Sequence, residues 1–173
     1  MSASLCRCSR STRQTETKND EKADHANVHF PPPLIHLIAV MAAIGMAAFL
    51  PLSLPRSGLL VGLGAGLLFL SLWIVGSAFR QFARSDNPVP PNRPINDLMD
   101  GGPFRFTRNP LYLALALLQT GVGLISGNGW ILVTLLPALA VVRYYVIARE
   151  EAYLTRRFGQ AYLDYQARVR RWF

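Results

Sequence analysis

Charge is what this sequence has little of. Of its 173 residues, 16% are Asp, Glu, Lys or Arg against 51% hydrophobic, and no charged side chain occurs between Asp24 and Arg56 or between Arg108 and Arg143. A soluble domain of this length carries charge over its whole surface, so the composition points to a membrane protein. Cysteine is as scarce. Cys6 and Cys8 stand one residue apart, too close for an unstrained bridge, and no second pair completes a zinc site. His25, His29 and His36 have no carboxylate or cysteine set among them, so no metal is expected. The net charge of +8 does not indicate nucleic acid, because the basic residues flank apolar segments and form no stripe with interleaved aromatics. Residues 1–30 lack an apolar run directly after their basic residues, as a secretory signal requires. They are expected to be a disordered tail ahead of one membrane domain over 31–173.

What is present is four apolar segments, 34–54, 57–79, 111–126 and 129–147. A spanning helix needs about 20 mostly apolar residues to cross roughly 30 Å of hydrocarbon. The third segment is short, but Asn109 as N-cap and Pro110 in the first turn extend its start. Gly127-Asn128-Gly129 leaves room only for a tight turn, so segments three and four form an antiparallel hairpin. The expected fold is an all-α integral membrane protein with four transmembrane helices and a cytoplasmic C-terminal helical segment. Lys and Arg number five in the tail, one in the first turn, five in the middle loop, none in the second turn and seven from Arg143 onward. Cytoplasmic loops hold the excess, which predicts that both termini and the middle loop are cytoplasmic. Gly62-Leu63-Gly64-Ala65-Gly66 contains a GxxxG, and inside an apolar helix that predicts close helix packing rather than a nucleotide loop. Beyond the last span, 149–158 reads as a helix ending at Gly159. Tyr162, Tyr165, Val169 and Trp172 then follow on one helical face, as an interfacial anchor, a lid over a pocket, or both.

Chemistry concentrates at two places that the hairpin brings together. One is Gly101-Gly102-Pro103-Phe104-Arg105-Phe106-Thr107-Arg108-Asn109-Pro110-Leu111-Tyr112, and the other is Arg149-Glu150-Glu151. A helix start at Asn109 attracts an anion such as a carboxylate, while Glu150 and Glu151 suit an amine, a sugar diol or a cation. A ligand with an amino acid head and a ribose matches both. The alternative is that Arg105, Arg108, Glu150 and Glu151 merely pair at a solvated rim.

The order Gly-Pro-Phe, Arg-Asn-Pro-Leu-Tyr, apolar hairpin, Glu-Glu, Arg-Phe-Gly-x-x-Tyr-x-x-Tyr and a closing basic run resembles the isoprenylcysteine carboxyl methyltransferase family and its phospholipid-methylating relatives. The match covers about 98–173. The resemblance implies a membrane-embedded methyltransferase that uses S-adenosylmethionine on a lipidic or prenylcysteine-like carboxylate substrate presented from the bilayer. By position it implies that Phe104, Asn109, Pro110, Leu111, Tyr112 and Glu150 hold the cofactor, with Leu98 and Met99 added by a looser alignment. Asn109 stands where many members have His, and it can hydrogen-bond but not act as acid or base. Val146 stands where the prenylcysteine enzymes have an arginine facing the substrate carboxylate. Arg143 and Arg149, three residues to either side, are the candidate substitutes and thus the candidate catalytic residues. With no convincing base in the sequence, a carboxylate or thiolate acceptor is favoured over an amine. Two rivals are kept. Membrane sterol reductases have a related hairpin and a nicotinamide cofactor, but place an acidic residue soon after the Tyr, where Leu113-Ala114-Leu115 follow here. A non-enzymatic assembly protein is the other; a transporter is disfavoured by spans with no ionisable residue near their middles.

Overall fold

The computed structural model describes residues 31–85 and 98–172. The expected tail 1–30, with Cys6, Cys8, His25 and His29, lies outside the described residues, as does Arg93 of the middle loop. The elements are α1 (Pro32–Phe49), α2 (Gly58–Arg84), a 3₁₀ turn (Gly102–Arg105), α3 (Pro110–Ser126), α4 (Gly129–Val141), a π-helical turn (Val142–Ile147), α5 (Ala148–Phe158) and α6 (Gln160–Arg168). α4, the π turn and α5 form one continuous helix, Gly129–Phe158, which with α1 and α2 is long and apolar enough to cross a membrane. α3 is a shorter apolar helix. The chain is thus an all-α, multi-pass membrane protein.

Local chemistry sets the ends of these helices. α1 stops at Phe49, ahead of the expected 54, because Pro51 disfavours the helical conformation at Leu50, which is extended. The Ser57 hydroxyl opens α2 by accepting the Leu60 N–H at 3.2 Å. α2 continues to Arg84, past the expected 79, and its 27 residues reach about 40 Å at 1.5 Å per residue. Gly127, with φ of 67°, ends α3 in the left-handed region that glycine tolerates. Asn128 Oδ1 then caps α4 by accepting the Trp130 N–H at 3.0 Å. The two turns share one end of the bundle: Gly129 N–H donates to Leu52 O at 2.7 Å and Leu54 N–H to Gly127 O at 2.8 Å. The opposite end gathers the start of α3 and the start of α5.

α3 packs most extensively on α2, and α4 packs on α1 and α3. The close approach expected from the glycine motif falls at Gly64 alone. A Cβ there would lie 2.9 Å from Gly121 O, and one on Gly121 would lie 2.8 Å from Gly64 O. Gly62 and Gly66 face open space, so the GxxxG pair itself is not the contact. Leu37, Met41, Phe69, Leu72 and Trp73 are exposed along α1 and α2, as lipid-facing side chains are. The polar C-terminal helix behaves differently. Tyr162, Tyr165 and Val169 are buried against Leu98, Leu154 and Phe158, so this face packs on the protein.

Candidate functional site

The open end of the α3–α4 hairpin is built from three layers. Toward α2, Phe104 sits edge-on to Phe82, with ring centroids 5.9 Å apart and planes at 84°. Ala78 completes that cluster, and Met99 and Leu111 pack against it. This apolar wall seats the 3₁₀ turn so that the Thr107–Tyr112 stretch enters α3 at a defined angle. Pro110 is fully buried at the first helical position, where its missing N–H costs nothing.

Across the hairpin, Tyr112 donates its hydroxyl proton to Glu150 Oε1. The apolar part of the long helix ends near Ile147, so Glu150 lies beyond the span. Loss of water around the Glu150 carboxyl pushes it up to about 7; the Tyr112 hydrogen bond opposes this and neighbouring Glu151 adds to it. Glu151, its sequence twin, has a different task. It accepts from Arg171 Nε at 2.8 Å and Nη2 at 2.6 Å, and its Oε1 lies 3.3 Å from Arg108 Nη1. The rim pairing considered from sequence therefore describes Glu151 and not Glu150.

The third layer is the C-terminal strap. Arg108 N–H donates to Arg170 O at 3.1 Å, Thr107 Oγ1 to Arg171 O at 2.9 Å, and the Tyr165 hydroxyl to Phe104 O at 2.7 Å. Burial pushes the Tyr165 phenol upward, which keeps it a donor. Asn109 holds the N-cap position but makes no capping bond; its amide donates to Arg171 O at 3.3 Å instead. By sequence Asn109 has the character of a helix cap, and no local signal marks the strap carbonyl. Arg108, close to the Glu151 carboxylate, keeps Nε and Nη1 buried with no hydrogen-bond partner among the described residues.

Tyr112, Glu150, Asn109 and Pro110 thus come together, while Phe104, Met99 and Leu111 back them and Leu98 lies under the strap. Arg143 and Arg149 lie on the exposed side of the long helix. Both are exposed while Val146 between them is fully buried. Arg143 lies 5.6 Å from the Tyr144 ring centroid and Arg149 lies 4.0 Å from that of Tyr145. A groove of ≈ 620 Å³ opens beside them, lined by Ile35, Ala140, Val141, Tyr144 and Tyr145.

The architecture defines a helical membrane protein with a roofed, partly charged site at one end of a hairpin. A match to the phospholipid methyltransferase family spans residues 59–161, well over half of the chain, and the chain belongs to that family. It is accordingly a membrane methyltransferase. An uncharacterized protein of Haemophilus influenzae is 37% identical to it over 62 residues, which are 36% of this chain and 98% of that protein. No solved structure matches the chain.

Proposed function

We propose that the chain transfers a methyl group from S-adenosylmethionine to a lipid-borne acceptor, with the cofactor held at the open end of the hairpin. The observation that carries this reading is the Tyr112–Glu150 pair, one helical turn in the chain from Arg108, whose Nε has no hydrogen-bond partner among the described residues. An amino acid carboxylate suits the Arg108 guanidinium, and an amine or ribose diol suits Glu150. When bound, S-adenosylmethionine supplies an electrophilic methyl group on a sulfonium. Phe104, Met99, Pro110 and Leu111 form the wall behind it, and Leu98 with the strap excludes water. Asn109 serves by fastening the strap. This end of the bundle, with both termini, faces the cytoplasm on the strength of the Lys and Arg distribution.

The acceptor's hydrocarbon tail lies in the groove beside Tyr144 and Tyr145, where it enters from the bilayer. A carboxylate head such as that of a prenylated cysteine is oriented by Arg143 of the π turn or Arg149 at the start of α5. A second reading, an amine-bearing phospholipid, is favoured by the description of the family. Nothing favours the reductase or the assembly protein.

Equilibrium binding of labelled S-adenosylmethionine to the detergent-purified protein tests the cofactor assignment. Glu150→Gln keeps the shape and removes the charge. A charge-assisted hydrogen bond contributes roughly 1.5–3 kcal/mol, so about tenfold to a hundredfold weaker binding is expected. In the unaltered protein affinity should rise with pH through about 7, as the Glu150 carboxyl ionises, and the variant should lose that rise. Unchanged affinity in a folded variant refutes the role of Glu150.

A further inference from the structure

His36 is a buried imidazole in the first span that the cofactor assignment does not use, and its surroundings determine which nitrogen carries the proton. Gln119 Nε2 lies 3.0 Å from Ile131 O and 3.4 Å from Thr134 Oγ1. A backbone carbonyl only accepts, so the Gln119 amide must present its NH₂ to Ile131 and its Oε1 to the other side. On that other side is His36 Nδ1, at 2.7 Å from Oε1. An amide oxygen likewise only accepts, so Nδ1 carries the hydrogen and Nε2 is left with a bare lone pair. His36 is 3% exposed, and Nε2 is buried with no hydrogen-bond partner among the described residues. The arrangement is that of a base oriented by a second group and lacking only the donor it would act on.

Its position relative to the site follows from α3. Tyr112 and Gln119 are seven residues apart, so they share a helix face two turns from each other, on the order of 10 Å along the axis. His36, which bonds Gln119, therefore meets α3 about two turns further into the span than the Tyr112–Glu150 pair. His36 is the sole titratable residue of α1, Tyr112 that of α3, and α4 has none. The π turn, which α1 also touches, adds Arg143, Tyr144 and Tyr145. Ile35, next to His36 in the chain, lines the lipid-side groove.

We infer that His36 Nε2 is the proton acceptor for methyl transfer to a lipid head bearing an N–H, which rests on the methyltransferase reading above. The acceptor nitrogen gives its proton to Nε2, and its freed electron pair forms the new N–C bond. The electron pair of the broken C–S bond stays on the donor sulfur, which loses its positive charge. The Nδ1 hydrogen stays bonded to Nδ1 and donated to Gln119 Oε1 throughout. A carboxylate acceptor needs none of this, so His36 separates the two substrate classes.

The test uses the full chain in nanodiscs containing phosphatidylethanolamine. His36→Gln should bind labelled S-adenosylmethionine as the unaltered protein does, yet transfer methyl groups to the amine lipid at least about a hundredfold more slowly, the low end of what a general base contributes. At saturating S-adenosylmethionine, where ionisation of Glu150 no longer limits binding, the rise of rate with pH that reports a neutral imidazole should vanish with it. Undiminished transfer with the same pH profile overturns the role of His36 and leaves the cofactor assignment standing, whereas lost cofactor binding by the unaltered protein strikes the methyltransferase reading itself. If His36→Gln does not fold, nitrogen NMR of the unaltered imidazole decides. The Nε2 resonance should move on going from phosphatidylcholine nanodiscs, which offer no N–H, to phosphatidylethanolamine nanodiscs. An unmoved resonance overturns the inference.

Discussion

Replacing Glu151 with Gln should unfasten the C-terminal strap while leaving the spans intact. Glu151 accepts two charge-assisted bonds from Arg171, at 2.8 and 2.6 Å. The side chains of Glu151, Arg171 and Arg108 are 15%, 31% and 12% exposed, so the cluster is neither a free surface pair nor a dry interior one. Exposed pairs contribute about 0–1 kcal/mol and hydrogen bonds to buried charges roughly 1.5–3. The forked Arg171 contact falls between, near 1.5 kcal/mol. Leaving mostly buried Arg108 without a counter-charge adds on the order of 1 kcal/mol. Together these lower the free energy of strap opening by about 2–3 kcal/mol, while the Tyr165, Thr107 and Asn109 bonds remain. At 1.4 kcal/mol per factor of ten, amide hydrogens of residues 160–172 should exchange roughly 30 to 100 times faster. Hydrogen exchange by mass spectrometry in nanodiscs measures this, with α2 and α3 as internal controls. Exchange within twofold of the unaltered protein in that segment refutes the argument, and uniform acceleration in every helix shows that the variant has lost its fold instead. A cycle with Arg171→Met isolates the direct pair, since the double variant should open little more easily than either single one.

Gly64→Leu should force α2 away from α3, because even a Cβ at Gly64 meets Ile125 Cγ1 at 2.8 Å and Gly121 O at 2.9 Å. A loss of about 1–3 kcal/mol or more is expected, read as a lowered unfolding temperature in detergent, whereas Gly62→Leu, which meets nothing within 4 Å, should change little. Cysteine placed at Asn128 should label in intact cells without permeabilisation, as the Lys and Arg distribution requires. Labelling only after the membrane is broken reverses the topology.

The helical spans, the tight hairpin turn and the gathering of Thr107–Tyr112 with Glu150 were legible in the residues themselves. They depend on hydropathy run length, on Pro and Gly at fixed positions, and on connectivity, all of which are local. The family resemblance was legible for the same reason, as spaced residues along the chain. What only the tertiary structure decided is which member of each equivalent set does what. Glu150 and Glu151 are neighbours with the same side chain, and their division between Tyr112 and the Arg108–Arg171 pair depends on how the hairpin and the strap close around them, which has no sequence period. Gly64, Gly62 and Gly66 look alike along α2 until Gly121 approaches from another helix. Asn109 has the composition of a cap, yet its amide is taken by a carbonyl 62 positions away. His36 was weighed from the sequence only as a metal ligand, whereas its tautomer and open nitrogen follow from Gln119 and Ile131, which lie on two other helices. Side chains separated this far in sequence meet only after packing fixes the helix faces.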